Sequence, residues 1–166
     1  MNYRILSLTV SFVLALSLTS CNQDMSNVEV LEETPAGLKW YTFENAMLVN
    51  KSAKKKVLVD VYTSWCGWCK VMDKKTFTNP EVVEYLNENF VLVKFNAEVK
   101  EPVEFKGETF EFKKMGRRGA NGLAIKMLDG RLAYPSLVYL DSDFNKIRTS
   151  PGYKTPDKLL NELKTL

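Results

Sequence analysis

The feature that most narrows the fold is the run Val57-Leu58-Val59-Asp60-Val61-Tyr62, which leads almost at once to Cys66-Gly67-Trp68-Cys69. A short, β-branched, nearly continuous apolar run is the pattern of a strand covered on both faces, as in α/β sheets flanked by helices. Only Asp60 interrupts it, so a carboxylate is predicted inside. The cysteine pair fits the first turn of the following helix, where positions i and i+3 are neighbours. There the unpaired N–H groups and the positive end of the helix dipole stabilise a thiolate. Such placement lowers a cysteine pKa from ~8.5 to ~3.5–7.5. Cys66 is therefore the predicted nucleophile, and Cys69, one turn deeper, the residue that resolves a mixed disulfide.

Composition removes competing chemistries. The chain has 166 residues, three cysteines and no histidine. Without imidazole there is no Ser–His or Cys–His nucleophile pair and no His-ligated zinc or haem. Zinc needs four nitrogen or sulfur ligands, and neither histidine nor a second cysteine pair is present, so no metal is expected. A purely structural disulfide across so small a loop would constrain little of the unfolded chain. With 23 basic against 20 acidic residues the formal net charge is +3, and no basic stripe interleaved with aromatics stands out, so no nucleic-acid partner is expected.

The rest of the chain reads as one domain from Leu38 to Leu166. Trp40-Tyr41 opens it, and Phe43 to Ala53 has a helical rhythm with Thr42 as cap. The lysines at 54–56 read as a solvated end of that helix. A helix runs from the cysteines to about Phe77, and Asn79-Pro80 opens another over Glu81 to Asn87. Phe90 to Phe95 is a buried strand. Glu101 to Phe112 alternates around Lys106-Gly107 as a hairpin, with Phe105, Phe110 and Phe112 covering core. Arg117-Arg118 after Met115-Gly116 reads as a solvated loop; the alternative is that it helps dock a partner peptide. Leu123 to Leu128 is helical, Ser136 to Leu140 and Phe144 to Arg148 are strands, and a helix capped by Thr155-Pro156 buries Leu159, Leu160 and Leu163.

The N-terminal segment reads as an address. After Arg4 come fourteen residues, Ile5 to Leu18, apolar apart from Ser and Thr. At about 1.5 Å per residue they fall short of a ~30 Å bilayer core, which makes residues 1–20 a secretory signal, removed on export. Leu18-Thr19-Ser20-Cys21 resembles a bacterial lipobox, which implies lipid modification at Cys21; the alternative is an ordinary signal with a stray thiol. Lipidation of Cys21 leaves Cys66 and Cys69 as the remaining pair. Residues 21–37 are polar and acidic and read as a tether, in an oxidising compartment where disulfides persist.

Several of these segments together resemble the thioredoxin superfamily over Leu38–Leu166. Val59 to Lys70 is similar to its strand, buried acid and WCxxCK site, and Tyr134-Pro135-Ser136 to its cis-proline loop. Val93-Lys94-Phe95-Asn96 is similar to the strand whose lysine neighbours the buried acid. Asp73 to Val83 is closer to thioredoxin-like lipoproteins and to the C-terminal domain of DsbD-type thiol:disulfide interchange proteins. The resemblance implies an α/β thioredoxin fold: a central mixed β-sheet flanked by helices, with an inserted β-hairpin before the cis-proline half. It implies a thiol–disulfide oxidoreductase without bound cofactor, acting on protein thiols and disulfides and fed by a membrane thiol donor of DsbD type. It also implies a cis Pro135 that presents the Tyr134 backbone to substrate.

Burial should raise the Asp60 pKa and make it the proton acceptor for Cys69, with Lys94 tempering the shift. Trp65 and Trp68 would form an apolar rim for substrate, with Gly67 between them. Gly67-Trp68 and the 101–112 hairpin depart from the family pattern and bear on partner choice. Gly67-Trp68 supplies no cation to stabilise the thiolate, which favours a disulfide reductase over an oxidase or isomerase. A non-catalytic binding module, or a Cu(I) carrier using both thiolates, is the reading from another class. The expected location is the periplasmic face of a bacterial membrane, lipid-anchored, with Asn22 after Cys21 resembling outer-membrane sorting.

Overall fold

The computed structural model describes residues 28–166. Along the chain come β1 (Glu32–Glu33), β2 (Lys39–Tyr41), α1 (Phe43–Ala53), β3 (Lys56–Tyr62), α2 (Gly67–Lys75), α3 (Pro80–Asn89) and β4 (Phe90–Asn96). Two hairpins follow, β5 (Val103–Phe105) with β6 (Glu108–Phe110) and β7 (Phe112–Met115) with β8 (Arg118–Asn121). The chain closes with α4 (Gly122–Met127), β9 (Ser136–Leu140), β10 (Lys146–Pro151) and α5 (Pro156–Leu163). Six strands share one sheet in the order β1-β2-β4-β3-β9-β10. β2, β4 and β3 are mutually parallel, while β9 runs antiparallel to β3, and β10 to β9.

The period-2 alternation of β3 sorts the core into two layers. Val57, Val59 and Val61 pack on one side with Phe43 and Ala46 of α1 and Leu123 and Met127 of α4. Leu58 packs on the other with Met72 of α2, Leu86 of α3 and Leu159 and Leu163 of α5. Asp60 is in phase with Leu58 and so faces α2. The helix starts follow from capping: Thr42, Asn79 and Thr155 each accept a backbone N–H of the first turn, the last two with proline at the helix start.

Three expectations are corrected. The sheet takes in residues of the 21–37 segment, because Glu32 and Glu33 pair with Trp40 and Lys39; this strand is carried by backbone bonds, and its exposed side chains give no apolar signal. The hairpin expected at 101–112 is present as β5–β6, and a second one that was not expected, β7–β8, follows it. Phe105 and Phe110 are buried as expected, but Phe112 opens a second hairpin that lacks alternation and turns at Gly116. Arg117 stands in the exposed turn of that hairpin, as a solvated loop residue should, and Arg118 opens its second strand. The strand predicted from Phe144 begins at Lys146, because the Asp141 carboxylate accepts the Asp143 and Asn145 N–H groups at 2.9 and 2.8 Å and holds a turn. The signal segment 1–20 and the lipidation site Cys21 lie outside the described residues, among which no helix is long and apolar enough to cross a membrane.

Candidate functional site

The site forms where β3 ends and α2 begins. Cys66 is the N-cap of α2, with extended backbone, and Cys69 follows one turn in. They form a disulfide of 2.07 Å, and the Cys69 N–H donates to Cys66 Sγ at 3.1 Å. A helix leaves its first N–H groups without intrahelical partners, and the first turn of α2 carries no acidic residue, so the local field at Cys66 favours an anion. Gly67 has open space where a Cβ would stand, which leaves the backbone above the disulfide uncovered.

Behind the disulfide lies a buried ion cluster. Asp60 and Lys94 are register partners on the parallel strands β3 and β4, and Lys94 Nζ stands 2.9 Å from Asp60 Oδ2. Among the described residues no group donates a well-directed hydrogen bond to either Asp60 oxygen, and the contact with Lys94 is one of charge. Burial pushes the Asp60 carboxyl above the usual carboxylate range, and Lys94 opposes it only in part. Lys94 also bonds the Asp73 carboxylate, which projects from α2 one turn beyond Cys69. Burial pulls the pKa of the ammonium down, but the two carboxylates outweigh it and hold that pKa above the ordinary lysine value. Trp40, Tyr62 and Phe77 wall it in, with ring centres 4.9, 5.4 and 5.7 Å from Nζ.

The disulfide itself is almost covered, and what solvent meets is its rim. Trp65 and Trp68 are 50% and 61% exposed, against 4% and 2% for Cys66 and Cys69. The Tyr134–Pro135 bond is cis, and its loop stands beside the pair. Tyr134 meets Trp65 edge to face at 5.9 Å, and Trp68 leans on Tyr153 at 5.4 Å. Two shallow grooves result. One, of about 230 Å³, is lined by Trp68, Tyr134, Pro135, Gly152 and Tyr153. The other, of about 180 Å³, lies between Trp65, Tyr134, Glu98, Met115 and Arg118.

The structure thus brings together Cys66, Cys69, Asp60, Lys94, Trp65, Gly67, Trp68, Tyr134 and Pro135. Sequence reasoning missed Asp73, Glu98 and Tyr153, and favoured a solvated loop for Arg118, which lies at the rim. Asp73 is four residues after Cys69, a helical spacing that could have placed it on the same face. Glu98 accepts the Trp65 indole N–H at 2.9 Å and the Ser64 hydroxyl at 3.3 Å. It follows the C-terminal end of β4, the edge of an α/β sheet where sites gather. Arg118 and Tyr153 carry no such signal, being brought in by tertiary contact alone. Among the described residues no group of three or more Cys, Asp or Glu is placed to hold a metal ion.

A helix-capping Cys-x-x-Cys pair facing a cis-proline loop, on a mixed sheet with helices on both faces, defines a thioredoxin-like fold. The chain belongs to the Thioredox_DsbH family (Protein of unknown function, DUF255), whose model matches residues 23–150. The solved structure of a DsbH oxidoreductase superposes with a TM-score of 0.53 at 19% identity, covering 84% of this chain and 94% of that one. The uncharacterized protein B0495.5 of Caenorhabditis elegans is 28% identical over 129 residues, 77% of this chain and 16% of that protein. The thiol:disulfide interchange protein DsbD of Haemophilus influenzae is 28% identical over 111 residues, 66% of this chain and 16% of that protein. This chain therefore spans about a sixth of the length of either curated relative.

Proposed function

We propose that the protein is a thiol–disulfide oxidoreductase acting as a disulfide reductase at the periplasmic face of a bacterial membrane. The observation that carries the reading is the Cys66–Cys69 pair at the start of α2 with a buried carboxylate behind it. In the reduced protein the Cys66 thiolate attacks one sulfur of a substrate disulfide. That S–S bond breaks, and the departing sulfur leaves as a thiolate that takes up a proton. Cys69 gives its proton to Asp60 and attacks Cys66 Sγ. The mixed disulfide breaks, the Cys66–Cys69 bond forms, and the second substrate thiolate is protonated in turn. Two electrons pass from the protein dithiol to the substrate, and a membrane thiol donor of DsbD type returns them.

Lys94, held between Asp60 and Asp73, keeps Asp60 from being too weak an acid to give the proton up again. Trp65, Gly67, Trp68 and the Tyr134-Pro135 loop hold the substrate chain across the disulfide. The uncharged Gly67-Trp68 dipeptide supports the reductive direction, since a less stabilised thiolate makes a less oxidising disulfide. The apolar Ile5–Leu18 stretch and the Leu18-Thr19-Ser20-Cys21 sequence support export and a lipid anchor at Cys21, with Asn22 favouring the outer membrane. The direct test is trapping. Cys69→Ser protein offered a disulfide-bonded polypeptide should accumulate a mixed disulfide on Cys66, identified by peptide mass spectrometry. Absence of the adduct, or its equal formation by Cys66→Ser protein through Cys69, would overturn the assignment.

A further inference from the structure

The second hairpin is not accounted for by the chemistry of the disulfide. Its residues 113–118 read Lys-Lys-Met-Gly-Arg-Arg, so Lys113, Lys114, Arg117 and Arg118 crowd one short arm with no acid among them. All four are exposed, and none forms an ion pair among the described residues. Two other surface lysines are each matched by one acid, Lys126 by Glu108 at 2.6 Å and Lys146 by Asp129 at 2.5 Å. Unpaired like charges held this close repel one another, a cost that a bound anionic partner would relieve.

The arm is fixed against the rim of the site. At its root the Asn121 N–H donates to the Ala97 carbonyl at 2.8 Å, next to the end of β4, and the Asn121 side chain donates to the Phe110 carbonyl at 2.9 Å. Its strands cross closely at Gly119, where a Cβ would lie 2.4 Å from the Phe112 ring and 2.5 Å from the Lys113 carbonyl oxygen. Toward its tip the Arg118 guanidinium lies 4.3 Å over the Trp65 ring, and Met115 is 44% exposed. Met115, Arg118 and Gly119 form one wall of the groove whose other wall is Trp65 and Tyr134. Trp65 adjoins Cys66 and Tyr134 adjoins Pro135, so a chain laid across the disulfide enters this groove with the residues that flank its cysteine. The one carboxylate lining the groove, Glu98, is engaged by Trp65 and Ser64.

We infer that the β7–β8 hairpin is a specificity arm that selects acidic polypeptide segments flanking the substrate cysteine. The inference rests on the reductase reading above and names its substrate class. Met115 and the Trp65 face supply apolar contact, and the four cations supply attraction, which acts chiefly on the rate of encounter.

The test uses the protein in its pre-reduced form and a single turnover, so that two electrons pass from the Cys66–Cys69 dithiol to each probe. Three probes are compared: hydroxyethyl disulfide, a disulfide-bonded peptide with glutamates beside its cysteine, and the same peptide with lysines in their place. The glutamate peptide should be reduced about tenfold faster or more at low salt than the lysine peptide, within the range of electrostatic steering. The ratio should shrink as salt screens exposed charges over ~8 Å near physiological ionic strength. In Lys114→Glu/Arg117→Glu protein the order of the two peptides should reverse. Equal rates for the two peptides, with hydroxyethyl disulfide still reduced, would overturn the arm and leave the reductase. A preference that the double substitution does not change would move recognition elsewhere and overturn it too. Binding of the arm to anionic lipid vesicles without peptide preference counts against it as well. No reduction of any probe would overturn the reading beneath.

Discussion

Asp60 is wholly buried, with Lys94 as its ion-pair partner among the described residues, and the Asp73 and Glu32 carboxylates near it add to the cost of its charge. Because its folded pKa lies above the unfolded value of 3.8, the fold holds the proton more tightly than the open chain does. The stability this group allows is therefore full below about pH 4 and is lost as pH rises through the interval up to its folded pKa. Asp60→Asn should raise the unfolding free energy of the disulfide form at pH 8, because the amide carries none of the charge that burial penalises there. The gain should vanish below about pH 4, where the wild-type carboxyl is neutral too. Urea unfolding at the two pH values reads this directly, and no gain at pH 8 would contradict a costly buried charge. The same variant should release mixed disulfides more slowly, since Cys69 then lacks its proton acceptor. Lys94 follows the same sign in a higher window: its folded pKa also lies above the unfolded value, 10.5, so its contribution is present below that value and lost in more alkaline solution. Lys94→Met should cost about 3–5 kcal/mol at pH 8, the effect of stranding a buried carboxylate, and acid should relieve part of it. An unchanged stability at pH 8 would show that Lys94 does not balance Asp60.

The elements of the sheet were legible because their periods are unambiguous. The apolar runs of β3 and β4 and the caps at Thr42, Asn79 and Thr155 stand in the sequence as they stand in the fold. The β7–β8 hairpin was not legible, since it is held by a glycine crossing and by one buried amide rather than by alternation. That amide, Asn121, caps α4 through the Leu123 N–H at 2.9 Å while its Nδ2 serves the Phe110 carbonyl at 2.9 Å. Losing the cap and leaving a buried carbonyl unpaired should make Asn121→Ala less stable by about 2–4 kcal/mol. The urea midpoint should fall while the slope of the transition stays the same. A change within ~0.5 kcal/mol, the scatter of ordinary surface substitutions, would mean that the two hairpins do not depend on this residue. Edge strand β1 escaped notice for a related reason, because backbone pairing to β2 leaves no mark on side-chain pattern.

At the scale of the whole molecule, the sheet sets Cys66 at the end of its central strand, Lys94 on the neighbouring strand and Pro135 just before the next. One chain position in each of three segments is enough to place these groups, which is why the sequence motifs located them. The rim was less legible. Glu98 reaches Trp65 from the end of β4, whereas Arg118 and Tyr153 reach Trp65 and Trp68 only once the second hairpin and the segment before α5 fold against the site. The chemistry of the pair thus belongs to the strand–helix junction, and the choice of substrate to what is folded around it. The central claim, a reducing thiol–disulfide exchanger working through Cys66 and Cys69, is tested most directly by the reduction potential of that pair, measured by equilibration of the protein in thiol redox buffers. The expected value lies near the thioredoxin end, about −270 mV. A value of about −180 to −120 mV, or a pair that does not form its disulfide reversibly, would contradict the account.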